Sequence, residues 1–373
     1  MKDSNYQLAV QLRHALHAHP ELSNQESWTK AHLMDFLRRN TSRIELVDKG
    51  SWFYGAYRAG GDLPGLAFRA DFDAVPVADG CGAPYASAVP GVSHACGHDG
   101  HSACLAALAL EIDQRGAEKN VFFLFQHAEE TGDGAAVCAE LFQEERVDEI
   151  FGYHNRPGVP LGTVQVLDGT IYCASEGVIL SYQGIPSHAS MPEKGRNPAF
   201  AIAALIGQLG TLTDPKRWRG LVLATVIQVD VGARAFGTQA SRGQLLLTIR
   251  GQYEEELELL RSELKRLAGE GAAAWGLDLE ISFCDVFPET VSHRSSNDKI
   301  RRACRELGIP LRELTEPFRS SEDFGHYTKR IPGAFFEIGS GEACSELHTT
   351  AMDFPDAIIP TAVDVFSRLI EEK

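Results

Sequence analysis

Hydrophobic positions near the start of the chain recur at helical spacing. Leu8, Leu12 and Leu16 stand four apart, and Ala31, Leu33, Met34 and Leu37 share one side of a following stretch. The pattern predicts a helix from Tyr6 through Arg13 towards Pro20, which stops it, and a second helix over 25–39. Short uninterrupted apolar runs then appear at 65–70, 121–125 and 149–153, separated by helical stretches at 101–115 and 134–145. Continuous rather than alternating hydrophobicity marks strands buried on both faces of a largely parallel sheet. The strand–helix rhythm marks an open α/β sheet.

From about Glu176 the texture changes. Strand patterns at 178–182, 221–231, 244–250 and 277–283 accompany helical patterns at 197–212 and 254–275, the latter with Leu257, Leu260, Leu264 and Leu267 on one face. Four strands and two helices make a small α+β sandwich of their own. After Pro288 the α/β character returns: a helix capped by Ser296 runs to Leu307, a strand over 333–338 ends in Gly339-Ser340-Gly341, and a terminal helix covers 359–370. The expected organisation is a discontinuous α/β domain, 1–175 and 289–373, interrupted by an α+β domain at 176–288. No internal repeat or low-complexity segment is visible.

Composition narrows the function classes. A chain of 373 residues exceeds one ordinary core, in keeping with two domains. The net charge of −16, from 51 acidic against 35 basic residues, argues against a nucleic-acid partner, because phosphate binding needs a basic face. No apolar run approaches the roughly 20 residues of a membrane helix. The opening Met1-Lys2-Asp3-Ser4-Asn5-Tyr6 lacks a signal-type apolar stretch, so a cytoplasmic protein without a membrane partner is expected. Eight cysteines include no C-x-x-C pair, which disfavours a disulfide framework; most are expected as small buried hydrophobes. Cys96 differs, because its neighbours are histidines.

That cysteine lies in Ser93-His94-Ala95-Cys96-Gly97-His98-Asp99-Gly100-His101, which packs a thiol, three imidazoles and a carboxylate into a glycine-containing loop at a helix start. Such a donor mix suits a transition metal. Open α/β sheets place their sites beyond the carboxyl ends of the strands. At those ends stand Asp71 and Asp73, then Glu129 and Glu130, then His154. Adjacent carboxylates such as Glu129-Glu130 repel unless a cation or shared proton separates them, although a solvated pair at a helix start is the plainer alternative. His154 alone reads equally as a core histidine, and His348 as a loop residue beside Glu346 and Thr349. Taken together, ligand-type residues delivered by separate strands point to one metal site.

The same residues carry a resemblance. Leu16-His17-x-x-Pro20-Glu21-Leu22, Arg69-Ala70-Asp71-x-Asp73-Ala74 and His94-Ala95-Cys96-Gly97-His98-Asp99-Gly100-His101 are followed by Phe125-Gln126-x-Ala128-Glu129-Glu130 and Gly152-x-His154. His188-Ala189-Ser190-Met191-Pro192 with Asn197-Pro198, Ser321-Glu322-Asp323-Phe324 and Leu347-His348 complete the series. In this order, and over nearly the whole chain, the sequence resembles the aminoacylase-type metallopeptidase and amidohydrolase family, in its branch of N-acyl-amino-acid, hippurate and auxin-conjugate hydrolases.

The resemblance implies a zinc-aminopeptidase-like catalytic sheet and two divalent metal ions per subunit, zinc, manganese, cobalt or nickel. Its ligands would be Cys96, His98, Glu130, His154 and His348. Glu129 matches the general base, and His188 the residue that stabilises the developing oxyanion, often in a partner subunit's site. Asp99 and His101, with Asp71 and Asp73, would orient the ligands. The inserted domain is implied to be the surface of a homodimer. No serine or cysteine has a triad-like setting, so no nucleophile is assigned. Two departures stand out: His127 occupies a position commonly proline, and Arg234-Ala235-Phe236-Gly237-Thr238 replaces an Asn-x-Ile-Pro element near the substrate.

The expectation is therefore a metal-dependent amidohydrolase cleaving N-acyl amino acids or similar small conjugates. A dipeptidase using the same site is the alternative enzyme. A silent metal- or ligand-binding regulator, or a purely structural metal site, is the alternative of another class.

Overall fold

The computed structural model describes residues 1–61 and 63–372. The chain forms two compact units. The larger comprises Met1–Ile171, Thr290–Pro317 and Asp323 onward; the smaller comprises Tyr172–Glu289 with Phe318–Glu322. A division at 175/176 would cut the continuous strand Ala174–Gln183, so the changeover lies a few residues earlier than the apolar pattern suggested. The detour of Phe318–Glu322 into the smaller unit left no sequence signal. It is tied there by Cys173 N–H donating to Phe318 O and by Arg250 Nη1 donating to Arg319 O and Ser321 Oγ.

The larger unit is built on an eight-stranded sheet. Across it the strands run Ile44–Asp48, Phe53–Tyr57, Asn120–Gln126, Gly65–Asp71, Glu149–Pro157, Gly333–Gly341, Val164–Val166 and Leu311–Glu313. The four strands from Asn120–Gln126 to Gly333–Gly341 are mutually parallel, whereas Phe53–Tyr57 and Val164–Val166 join them antiparallel. The parallel strands are buried almost throughout, as their unbroken apolar runs require. The hairpin Ile44–Asp48 and Phe53–Tyr57 was not anticipated; the outer strand's mixed burial gives no clean period.

The helix His98–Arg115 is buried on every side from His98 to Asp113. A helix without a polar face belongs in a core, and its run of alanines allows close packing. Asp3–Ala18 and Ile359–Glu371 pack against it. The stretch expected as one helix over 134–145 is two short ones, Gly134–Cys138 and Leu141–Glu144. Ser296 is not a cap either: the helix begins at Arg294, and Ser296 Oγ inside it donates to buried Glu149 at 2.6 Å.

The smaller unit is an antiparallel sheet in the order Asp278–Phe287, Ala174–Gln183, Arg242–Gly251, Val222–Val231. Alternate residues such as Val178, Leu180, Leu245 and Leu247 face the helices Ala199–Leu212 and Glu254–Trp275, which bury Leu205, Leu257, Leu260 and Leu264 in return. Fold class is thus α/β, with a large mostly parallel sheet and a separate α+β unit. All eight cysteines are free thiols, and Cys284 is exposed. No helix among the described residues is long and apolar enough to cross a membrane.

Candidate active site

A helix-start turn, the segment after one strand, the interior of another strand and a loop deliver the ligand-type side chains of the larger unit to one place. Cys96 and His98 come from the turn before the central helix. Gly97 makes that turn possible: its φ of 100° is left-handed, and an added Cβ would stand 2.3 Å from Asn155 Oδ1. Glu129 and Glu130 follow the strand Asn120–Gln126 through Ala128, whose φ is 48° and whose N–H donates to Glu26 at 2.8 Å. His154 lies within the strand Glu149–Pro157 rather than after it. His348 also adopts a left-handed conformation, φ 58°, and its N–H donates to Ala95 O at 2.8 Å. Strained backbone held by specific hydrogen bonds is common where side chains must be aimed.

The donor atoms converge. Cys96 Sγ lies 3.3 Å from His154 Nε2, and His348 Nε2 lies 3.3 Å from Glu130 Oε1. His98 Nε2 makes no hydrogen bond although it is wholly buried. It faces Asp71 Oδ2 and Glu130 Oε1, each at 3.7 Å, and Glu129 Oε2 at 4.0 Å. Cys96, His98 and His154 form one group within ion-binding reach, as do Cys96, Glu130 and His348, and His98, Glu129 and Glu130. A buried imidazole nitrogen without a hydrogen bond, amid a thiol, imidazoles and carboxylates, fits a divalent transition ion.

The far side of each imidazole is engaged. His98 Nδ1 lies 3.1 Å from Asp73 Oδ1, and His154 Nδ1 donates to Asn155 O at 2.8 Å. Both contacts turn Nε2 towards the cluster. Asp73 does further work, since its Oδ2 accepts Ser23 Oγ–H and the N–H of Glu130. His101 bridges Asp71 Oδ1 at 2.7 Å and Asn155 Oδ1 at 2.8 Å. Asp99 does not touch a ligand of this cluster; it bonds His17 Nδ1 at 2.8 Å and Arg13 Nη1 at 3.2 Å. Arg69 Nη1 and Nη2 donate to Asp71 and Asp323, and Gln126 ties into the same network. The side-chain contact of Asn155 with His101, 54 positions away, and that of Arg69 with Asp323, 254 positions away, left no local signal in the sequence.

Charges follow this geometry. Burial would raise Asp71, but Arg69, with His98 and His101, holds it well below the usual carboxylate range. Burial works against a charged His98, yet Asp71, Asp73 and Glu130 lift it to about 10. The Cys96 thiol is pushed far up by burial and by Glu130 and Glu129. An excess of carboxylates that stabilises a proton on an imidazole or thiol also stabilises a metal cation in its place. His94 is buried and driven down to about 4 by desolvation, and neither ring nitrogen has a hydrogen-bond partner.

Two further residues are placed as follows. His127 is buried, its Nδ1 3.9 Å from Cys138 Sγ. His188 belongs to the smaller unit, where its exposed ring is held by Ser190 Oγ at 2.7 Å from Nδ1. The segment that departs from the familiar pattern lies beside it: His188 pairs with Thr238, and Ala189 N–H donates to Gly237 O.

Comparison with known proteins finds relatives over nearly the whole chain. Residues 67–372 match the profile of Peptidase family M20/M25/M40. The chain is 29% identical over 368 residues to an N-acetylcysteine deacetylase of Bacillus subtilis, covering 96% of this chain and 95% of that protein. It is 28% identical over 370 residues to an N-acetyldiaminopimelate deacetylase of Exiguobacterium sibiricum, covering 98% and 99%. In structure it is similar to the Bacillus subtilis YXEP protein, described as a dinuclear metal binding peptidase from the M20 family. The TM-score is 0.83 at 26% identity, over 99% of this chain and 98% of that one.

Proposed function

The chain belongs to Peptidase family M20/M25/M40 and is a metal-dependent amidohydrolase, and from that premise we propose that it cleaves the amide bond of small N-acyl amino acids. The observation that carries the reading is the convergence of Cys96, His98, Glu130, His154 and His348, with Glu129 beside them. The relatives' names, deacetylases of N-acetylated amino acids, support an acyl amide as substrate.

In this proposal the five converging residues hold two divalent ions, for which zinc, manganese, cobalt and nickel are the candidates given the thiol–imidazole–carboxylate donor set. Such ions supply Lewis acidity, acidifying water and polarising a carbonyl. Glu129 takes the proton from the attacking water as its oxygen bonds to the acyl carbon. It returns the proton to the nitrogen as the C–N bond breaks, giving a carboxylic acid and a free amine. Asp73 and the Asn155 carbonyl hold His98 and His154 in the ligand orientation. We assign His188 the oxyanion-stabilising role; the hydrogen bond at its Nδ1 supports this by steadying the ring.

A second copy of the chain is also part of this reading. Val222–Val231 is an edge strand of the smaller unit and exposes Val226, Ile227 and Val229, with Phe236 nearby in sequence almost fully exposed. An apolar, unpaired strand edge is a ready surface for association.

The test is a substrate panel on protein loaded in turn with each metal: N-acetyl and N-benzoyl amino acids against unblocked dipeptides. Turnover confined to the acylated compounds is expected. Turnover of dipeptides alone would make it a peptidase, and none with any amide would leave a silent metal-binding protein.

A further inference from the structure

Another set of ligand-type side chains in the larger unit takes no part in this chemistry. His17 lies on the helix Asp3–Ala18 and is fully buried, while Asp79 and half-buried Cys81 share a loop after the strand Gly65–Asp71. His17 Nε2 stands 3.2 Å from Asp79 Oδ2 and 3.9 Å from Cys81 Sγ, and the three donor atoms lie within 4.8 Å of one another. Nitrogen, oxygen and sulfur donors arranged tetrahedrally at bonding distance from one ion would be about 3.3–3.7 Å apart. The cluster needs only small closing movements to reach that spacing.

One buried contact orients the imidazole. His17 Nδ1 is bonded to buried Asp99 at 2.8 Å, the carboxylate–histidine pairing that orients a metal-binding imidazole and raises its basicity. Nε2 is thereby turned on a carboxylate oxygen and a thiol, where a ring proton stabilised by Asp99 sits without an ion and a cation can replace it. The loop is also braced: Asp79 Oδ1 accepts Cys81 N–H at 2.9 Å and Oδ2 accepts Ser87 N–H at 2.6 Å. Burial, with Asp79 and Asp353 adding repulsion, pushes the Cys81 thiol up to about 11. The carboxylates that disfavour a bare thiolate would stabilise one bound to a cation.

We propose that His17, Asp79 and Cys81 form an additional binding site for a single thiophilic divalent ion of the zinc and cadmium class, distinct in its ligands from the Cys96 cluster. Binding releases the Cys81 thiol proton and the proton on His17 Nε2 to solvent, involves no change of oxidation state, and leaves the hydrolytic residues in place.

The test uses the intact protein equilibrated with cadmium and freed of unbound ion, reading cadmium per chain and thiolate-to-cadmium charge-transfer absorbance. Cys81→Ser is expected to carry one ion fewer per chain than the wild type, with a matching loss of absorbance. Because both proteins keep the Cys96 cluster, this difference is independent of how many ions that cluster holds. Equal cadmium content and equal absorbance would overturn the proposal. Anomalous diffraction from cadmium-soaked wild-type crystals gives a check without a variant. A peak in bonding contact with Cys81 Sγ and His17 Nε2 supports the site, and peaks confined elsewhere refute it.

Discussion

Asp73 Oδ1 and the Asp73 backbone O each stand 3.1 Å from His98 Nδ1, and together they turn the other nitrogen of His98 towards the cluster of Cys96, Glu129 and Glu130. The same carboxylate accepts the N–H of Glu130, so one side chain positions residues from the helix start and from the strand end. A buried acid thus helps to fix the geometry of the site.

Asp73→Asn tests that relationship. An amide keeps the volume but loses the charge, and its NH2 can face an N–H it should accept. Metal affinity is expected to fall about 10–100-fold while the fold persists. Competition against a graded chelator measures it, with circular dichroism as the control; unchanged affinity would remove Asp73 from the positioning role.

Glu129→Gln separates proton transfer from metal binding. Turnover is expected to drop by about 10²–10⁴-fold, the range for loss of a general base, with metal content kept. Steady-state kinetics beside metal analysis reads both. Full activity in a metal-replete variant would assign the base elsewhere.

Glu26 makes stability depend on pH. Burial, reinforced by Asp73, pushes its carboxyl up to about 7 from 4.5. The folded chain therefore binds a proton on Glu26 that the unfolded chain has already lost. Stability falls as pH rises between those values, and the loss is complete above about 7. Glu26→Gln keeps an oxygen for the Ala128 N–H and removes the charge. In urea denaturation of the metal-free protein it should exceed the wild type at pH 8, by on the order of 1–3 kcal/mol, and match it near pH 4.5. An equal gain at both pH values would contradict this origin.

Ile227→Lys addresses the apolar edge of the smaller unit. Ile227 is 59% exposed on an edge strand, so a lysine costs little within one chain but obstructs pairing with another. Light scattering should give the mass of two chains for the wild type and of one for the variant. A wild type that is monomeric at micromolar concentration would dispose of the dimer.

Much of the site is readable because its chemistry is local. Cys96-Gly97-His98 brings two donors together within one turn, and Glu129-Glu130 follows a run so apolar that a strand end is the natural place for it. The helix over 101–115 is legible from its small apolar residues, and the four strands of the smaller unit from their β-rich runs. Asp99 shows where such reading fails. Adjacency to His98 suggested that it orients a ligand, yet a helix turns successive side chains about 100° apart, and Asp99 faces His17 and Arg13 instead. Ser296 resembled a cap, but its partner Glu149 lies 147 positions away.

What the amino-acid order determined by itself was therefore periodic or contiguous: which stretches are buried strands and helices, which loop carries the thiol and imidazoles, and that carboxylates and an imidazole accompany the parallel strands. Tertiary structure alone decided which nitrogen each histidine presents, that Phe318–Glu322 joins the smaller unit, and that His17, Asp79 and Cys81 meet. The physical reason is common to all three. Periodicity reports the face a side chain takes on its own element, whereas a hydrogen-bond partner or a shared ion is set by elements brought together only when the sheet and its helices pack.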